Sequence, residues 1–172
     1  KAVDLGIEEA IVFYANALIN GDKIEANFSE GMKYYKMAAD MGNITAITNY
    51  AYHIFHSKDN STDIEEGIKY IKLGIDNGSI SCMRNYAKFL NEGLRISVNK
   101  VEAAKYFKMA ADNGDIDSMK EYYSMLVNED GIPANKTDEI KYCKMVADSG
   151  DSEFMGIYAR HLNDGDGIPV NK

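Results

Sequence analysis

The chain of 172 residues has no Trp, only 2 Pro and 2 Cys, and less base than acid, with Lys+Arg 19 against Asp+Glu 27. Two cysteines, Cys82 and Cys143, cannot build the disulfide framework of a small secreted domain or a four-ligand zinc site, and they read as free core thiols. A net charge of -8 repels a polyanion, so nucleic acid is not expected as a partner. No apolar run approaches the roughly 20 residues of a membrane span, so direct membrane insertion is not expected either. The first residues, Lys1-Ala2-Val3-Asp4, carry neither an initiator Met nor an apolar signal core. Together with the unpaired cysteines this favours the cytoplasm and a piece cut from a longer protein. Disorder is excluded by what is plentiful: 45% of the residues are hydrophobic, including 12 Tyr, 9 Met and 6 Phe.

Those residues are spaced with a fixed step. Gly6, Gly42, Gly78, Gly114 and Gly150 repeat every 36 positions, as do Tyr14, Tyr50, Tyr86, Tyr122 and Tyr158, and Asp4, Asp40, Asp76, Asp112 and Asp148. A second tyrosine column runs Tyr34, Tyr70, Tyr106, Tyr142, and lysines recur at Lys36, Lys72, Lys108 and Lys144. A strict period of this length without an insertion marks a helical repeat array. The units fall at approximately 4–39, 40–75, 76–111, 112–147 and a partial 148–172, forming one array.

Each unit carries two amphipathic helical patterns. In the first, helix A, exemplified by residues 7 to 20, Ala10, Ile11, Tyr14, Ala15 and Leu18 form the apolar stripe. Asn43, Ser79, Asp115 and Asp151 stand where an N-cap is needed, and only Ile7 departs. Helix B begins at Asn27, Asp63, Asn99 and Asn135, with Glu30, Glu66, Glu102 or Asp138 three residues on, which resembles a capping box. The recurring Gly after helix B supplies a positive-φ turn, and Pro133 and Pro169 share one position in the A-to-B link. Small residues in three columns, among them Ala46, Cys82 and Ser118 and also Ala38, Gly74 and Ala110, set how closely helices approach. In the fourth and fifth units these columns become Phe154, Tyr123 and Val146, so a shift in local packing is expected there.

The run Ala103-Ala104-Lys105-Tyr106-Phe107-Lys108-Met109-Ala110-Ala111-Asp112-Asn113-Gly114 and its copy from Tyr34 to Gly42 resemble the Sel-one-like repeat, a branch of the tetratricopeptide-like helical repeats. The link Gly165-Asp166-Gly167-Ile168-Pro169-Val170-Asn171 is similar to that family's Gly-x-Gly-aliphatic-x-x-Asp/Asn link. Tyr14 and its copies stand where the family usually has Leu, Ala15 and its copies where it has Gly, and Met37 where Lys is common. The resemblance implies an all-α, right-handed superhelical α-solenoid of antiparallel helix pairs. The pattern gives A and B four times and then a lone A, with uncapped ends whose apolar stripes favour self-association.

The resemblance also implies a non-catalytic scaffold or adaptor that binds a protein or peptide on the concave helix-A face. On that face the variable positions are those of Glu9, Val12, Phe13, Asn16 and Asn20 and their copies. Asn49, Tyr52, Arg84, Asn85, Lys88, Lys120, Ser124 and Arg160 are the candidate ligand residues. Their basic members suit an acidic or carboxylate-bearing partner, and the asparagines suit its backbone. Glu92, Glu121, Glu153 and Asp164 dilute that charge. No cofactor or metal is expected, and no catalytic constellation stands out: His53 and His56 are three apart without the i, i+4 spacing of a metalloprotease helix, and His161 repeats the column of His53. Two other functions fit the resemblance less well. Secreted members linked to β-lactam binding carry paired cysteines in each unit, which this chain lacks, and an RNA-reading array needs a regular basic column on helix A.

Overall fold

The computed structural model describes residues 6–57 and 63–165. The described residues contain nine α-helices and no strand: α1 (Ile7–Asn20), α2 (Phe28–Asp40), α3 (Ile44–His56), α4 (Ile64–Asp76), α5 (Ile80–Glu92), α6 (Lys100–Asp112), α7 (Ile116–Val127), α8 (Lys136–Asp148) and α9 (Ser152–Asp164). Odd-numbered helices are the A helices and even-numbered ones the B helices of the 36-residue period. The chain divides into two compact units, Lys1–Cys82 and Met83–Lys172, the division falling inside α5. In the first, α1 packs on α2, α2 on α3 and α3 on α4; in the second, α6 packs on α7, α7 on α8 and α8 on α9.

The expected stripe is the buried face where a helix has neighbours. In α3, Ala46, Ile47, Tyr50, Ala51 and Ile54 are buried, as are Ser118, Met119, Tyr122 and Leu126 of α7. In α1 only Ala15 and Leu18 of the expected stripe are buried, joined by Val12, while Ala10 and Tyr14 are exposed. The placement of Val12 on the outward face is thereby corrected.

Caps explain where the helices start. Asn43, Asp115 and Asp151 accept from backbone N–H groups three residues on, and the Ser79 hydroxyl accepts from Cys82 N. Lacking such a residue at Ile7, α1 starts one residue earlier, from Gly6. The B caps depart from a capping box. The backbone N–H of Asn27 donates to Leu18 O at 2.8 Å and that of Asn99 to Leu90 O at 2.9 Å. The glutamate three residues on therefore has no free N–H at the cap, and instead Glu30 and Glu102 accept from the side-chain amides of Asn27 and Asn99. Gly42, Gly78, Gly114 and Gly150 have the expected positive φ, whereas Gly6, at φ -57, does not. Pro133 lies in the α7–α8 link; Asp4, Pro169 and the 166–171 stretch of the family-like link lie outside the described residues.

A knot of polar groups joins three consecutive helices. In the first unit Tyr70 donates its hydroxyl to Asp40, Tyr50 donates to Glu66 at 2.9 Å, and Lys36 donates to Glu66. The Tyr50 and Tyr70 rings meet edge to face at 5.0 Å. The same columns meet in the second unit, where Tyr142, fully buried, donates to Asp112 at 2.7 Å and accepts from Lys108 at 2.8 Å. Lys108 also lies 3.4 Å from Asp138, and Lys141 donates to Asp112 at 2.8 Å. Burial raises the pKa of the Tyr142 phenol. At Asp112 the upward pull of burial is outweighed by hydrogen bonds from Lys141 and Tyr142 and by the Lys108 charge, so its pKa is lowered; Lys141 is raised by the bond to Asp112. Being depressed, Asp112 contributes stability above the ordinary carboxylate range and loses it as pH falls through its lowered folded value. Lys141, being raised, contributes below the ordinary lysine range and loses it as pH rises through its folded value.

Two outcomes are expected. Asp112→Asn should flatten the acid limb of a stability-against-pH curve, and Tyr142→Phe should cost about 1–2 kcal/mol in urea unfolding by stranding the groups it bonds. An added Cβ at Gly74 would lie 2.3 Å from Cys82 Sγ and 3.2 Å from Ile47 Cγ2. Gly74→Ala should therefore destabilise by about 1–3 kcal/mol despite the better helix propensity of Ala. Adding Cys82→Ala, which recreates the Ala38 and Ala46 pair of the preceding repeat, should recover most of that loss.

Candidate functional site

The helix-A face is built from positions that helix periodicity turns away from the buried stripe. In the first unit, Asn49 is used internally: its amide donates to the Tyr35 hydroxyl at 3.3 Å, and Tyr35 in turn donates to Asn16. Tyr52 remains exposed and stacks on the His56 ring at 3.9 Å, while the His56 Nδ1 lies 2.9 Å from Tyr52 O. His53 is a packing residue, as its column suggested. It stacks on Tyr35 and meets Phe28 edge-on, and burial together with the neighbouring His56 lowers its pKa.

In the second unit the face is carried by Met83–Glu92 of α5, by α7 and by α9. The basic side chains proposed for ligand binding separate into two sets. Arg84 pairs with Asp115 at 2.5 Å and reaches Asp117 at 3.7 Å; Lys120, one repeat on, pairs with Asp151 at 2.5 Å. Asp115 and Asp151 are the N-caps of α7 and α9, so each of these cations locks one A helix to the cap of the next. In the first unit Thr48 holds the equivalent place, its hydroxyl 3.5 Å from that of Ser79 and 3.2 Å from Cys82 Sγ. Lys88 and Arg160 differ. They have no ion-pair partner among the described residues; Lys88 is half-buried and Arg160 exposed. Asn85 is half-buried and Ser124 exposed, the latter's carbonyl accepting from Asn128 at 2.8 Å.

A cleft of about 350 Å³ opens between α7 and α9. Tyr123, Val127, Phe154 and Ile157 give it an apolar lining, and Lys120, Glu121, Ser124, Asn128 and Glu153 supply the polar groups. The Tyr123 and Phe154 rings meet edge to face at 5.1 Å, and the Lys120 ammonium sits 5.7 Å from the Phe154 ring centroid. The candidate residues Lys120 and Ser124 thus lie at this cleft. Tyr123, Val127 and Phe154 were not among the candidates, although the change from small to large at 123 and 154 was visible in the columns.

Cys82 and Cys143 are buried free thiols, and burial with the nearby Glu139 carboxylate pushes the Cys143 thiol up, away from a reactive thiolate. His161 Nε2 lies 3.5 Å from the Glu139 carboxylate. Among the described residues no three His, Cys, Asp or Glu side chains gather as a metal site would need, and no helix is long and apolar enough to cross a membrane.

Comparison with known proteins places this geometry. A family model described as Sel1 repeat matches residues 8–43, 44–79 and 80–115, three consecutive 36-residue units. No curated protein matches the sequence. The fold is similar to that of a Sel1 repeat protein from Oxalobacter formigenes, at 17% identity and a TM-score of 0.75 over 96% of this chain and 68% of that one. It is also similar to a protective antigen of uropathogenic Escherichia coli with an SLR fold, at 21% identity and a TM-score of 0.79 over 95% of this chain and 35% of that one. This chain thus spans about a third of that antigen's length. Helicobacter pylori cysteine rich protein B aligns with a TM-score of 0.55 and 16% identity over 75% of this chain and 92% of its own.

If Arg84 serves to lock α7, Arg84→Met should lower stability by about 0.5–1 kcal/mol, and by less as salt is raised. Unfolding midpoints at low and high ionic strength check both parts.

Proposed function

Since the chain belongs to the Sel1 repeat family, we propose that it is a non-catalytic interaction scaffold that takes a polypeptide segment on its helix-A face, centred on the α7–α9 cleft. The observation that carries this reading is the division of the basic residues. Arg84 and Lys120 are engaged by helix caps, whereas Lys88 and Arg160, which share a repeat column with Ser124, hold charge that no described carboxylate neutralises. An apolar recess on a helix-A face that also carries unpaired cations suits a peptide with a hydrophobic anchor and a carboxylate. Glu121 and Glu153 at the same cleft disfavour a uniformly acidic ligand and favour one with its negative charge at defined positions.

The partner is a polypeptide because a side-chain surface of mixed apolar, amide and charged groups, repeated along stacked helices, matches an extended chain better than a compact small molecule. Affinity capture with the wild-type chain, compared with Ile157→Asp and with Lys88→Glu combined with Arg160→Glu, tests this. A partner recovered by the wild type should be lost or strongly depleted with each variant while circular dichroism stays unchanged. Recovery of the same partner by both variants would remove the helix-A face from the reading.

A further inference from the structure

The recess between α7 and α9 belongs to one step of the array. Tyr123 and Phe154 frame it, and one repeat earlier their places are taken by Ala87 and Ser118, both fully buried. Two rings need more room than a methyl and a hydroxymethyl group, so the helices part here and leave apolar surface between them. The opening does not depend on what packs after α9. Asp117 and Glu121, which occupy on α7 the places of Glu153 and Ile157 on α9, stay exposed and half-buried although α8 and α9 follow them.

The charge at the recess is negative. Lys120 is the one cation among its lining residues, and its ammonium is already engaged by Asp151 at 2.5 Å and by the Phe154 ring. Glu121 and Glu153 line the same recess and have no ion-pair partner among the described residues. Glu153 has a local reason to be acidic, since it stands in the first turn of α9, where the helix dipole favours a carboxylate. Glu121 has none. It lies past the first turn of α7, and the same column elsewhere holds Phe13, Asn49, Asn85 and Ile157. The bond from Lys120 to Asp151 sets residues 31 apart at one level of the two helices. Glu121 and Glu153 are separated by one residue more, so the two free carboxylates stand at nearly the same level of the recess.

We propose that the recess takes an arginine side chain of the partner segment, its apolar stem against the lining and its guanidinium at Glu121 and Glu153. This rests on the reading of the helix-A face as the surface that takes a polypeptide, and it names the group anchored there. Arginine fits better than lysine. Its guanidinium is more weakly hydrated than an ammonium, so it enters an apolar-lined recess at lower cost, and its fork of donors serves two carboxylates at once. Its stem covers apolar surface that a shorter polar side chain would leave wet. Arg160 lies seven residues beyond Glu153 on α9, roughly 10 Å along the helix. The carboxylate that an unpaired cation attracts therefore stands about three residues from the arginine in an extended segment. The segment is bipolar rather than acidic.

The probe is a random linear peptide library displayed on phage, selected on the wild-type chain, with the enriched peptides remade synthetically for calorimetric titration. Arginine beside apolar residues should be enriched, with an acidic residue nearby. Glu121→Gln combined with Glu153→Gln should weaken an enriched peptide about tenfold while circular dichroism stays unchanged. Replacing the peptide's arginine by citrulline should weaken it as much, and both changes together little further, because they remove one contact. Selection on Glu121→Arg combined with Glu153→Arg should enrich Asp and Glu at the anchor instead. Peptides that lose binding with Ile157→Asp yet carry no arginine, or that bind the double Gln variant as well as the wild type, would overturn the arginine assignment and leave the helix-A face in place. Peptides indifferent to Ile157→Asp, or a library without enrichment, would overturn the assignment together with that face.

Discussion

The tyrosine–carboxylate–lysine knot is the constraint on which the rest of the structure depends. Each knot takes a lysine and an aspartate from one B helix, a tyrosine from the next A helix, and a tyrosine and a carboxylate from the following B helix. In the first unit these are Lys36, Asp40, Tyr50, Tyr70 and Glu66. Its sequence separations are therefore fixed: Asp40 to Tyr70 and Asp112 to Tyr142 are both 30 residues. Adding one residue in an intervening link would rotate or shift one partner away and leave buried polar groups unpaired, at a cost of roughly 1–3 kcal/mol each. A step of 36 maintained without insertion is the sequence image of that cost. Apolar packing alone tolerates shape changes more readily, because it has no direction.

Much of the fold can be read from the sequence for the same reason. The helices, their caps and the stripe of Ala46, Ile47, Tyr50, Ala51 and Ile54 follow from local periodicity and capping chemistry, which act within a helix. The knot was present as columns, but Asp40 stood only as one of a repeating set of aspartates, while Glu66 looked like a cap and Tyr50 like part of an apolar stripe. Of these, the stripe role of Tyr50 is also real, whereas Asp40 closes α2 and the Glu66 carboxylate is taken by Lys36 and Tyr50. The misassigned details have a similar origin. Glu30 and Glu102 turn to the asparagine amides because the cap N–H is already committed to a carbonyl of the preceding helix, a bond that no pattern within helix B reveals.

The candidate site was less readable because charge in a sequence has no partners attached. Arg84, Lys88, Lys120 and Arg160 look equivalent as a basic series on one helix face. In the fold, Arg84 and Lys120 belong to a column four positions, about one helical turn, before that of Lys88 and Arg160, close enough to the next cap aspartate for the pair to form. A half-buried pair of this kind fixes the start of the neighbouring helix, and its charge is then a poor attractant for an external ligand. Two cap aspartates, Asp115 and Asp151, thus remove half of the apparent basic cluster.

Period and pairing together distinguish two kinds of exposed surface. On the helix-A face the residues at one repeat position differ from unit to unit, as Tyr52, Lys88, Ser124 and Arg160. On the α9 face the residues at 155, 158 and 162 stay in the classes that neighbouring units bury, Met, Tyr and Leu. An exposed position that varies along the array is free to encode a ligand, whereas one that keeps its core identity keeps the packing role of its column. A groove position can therefore select a ligand by charge left unpaired after packing, whereas a core column is held by the packing itself.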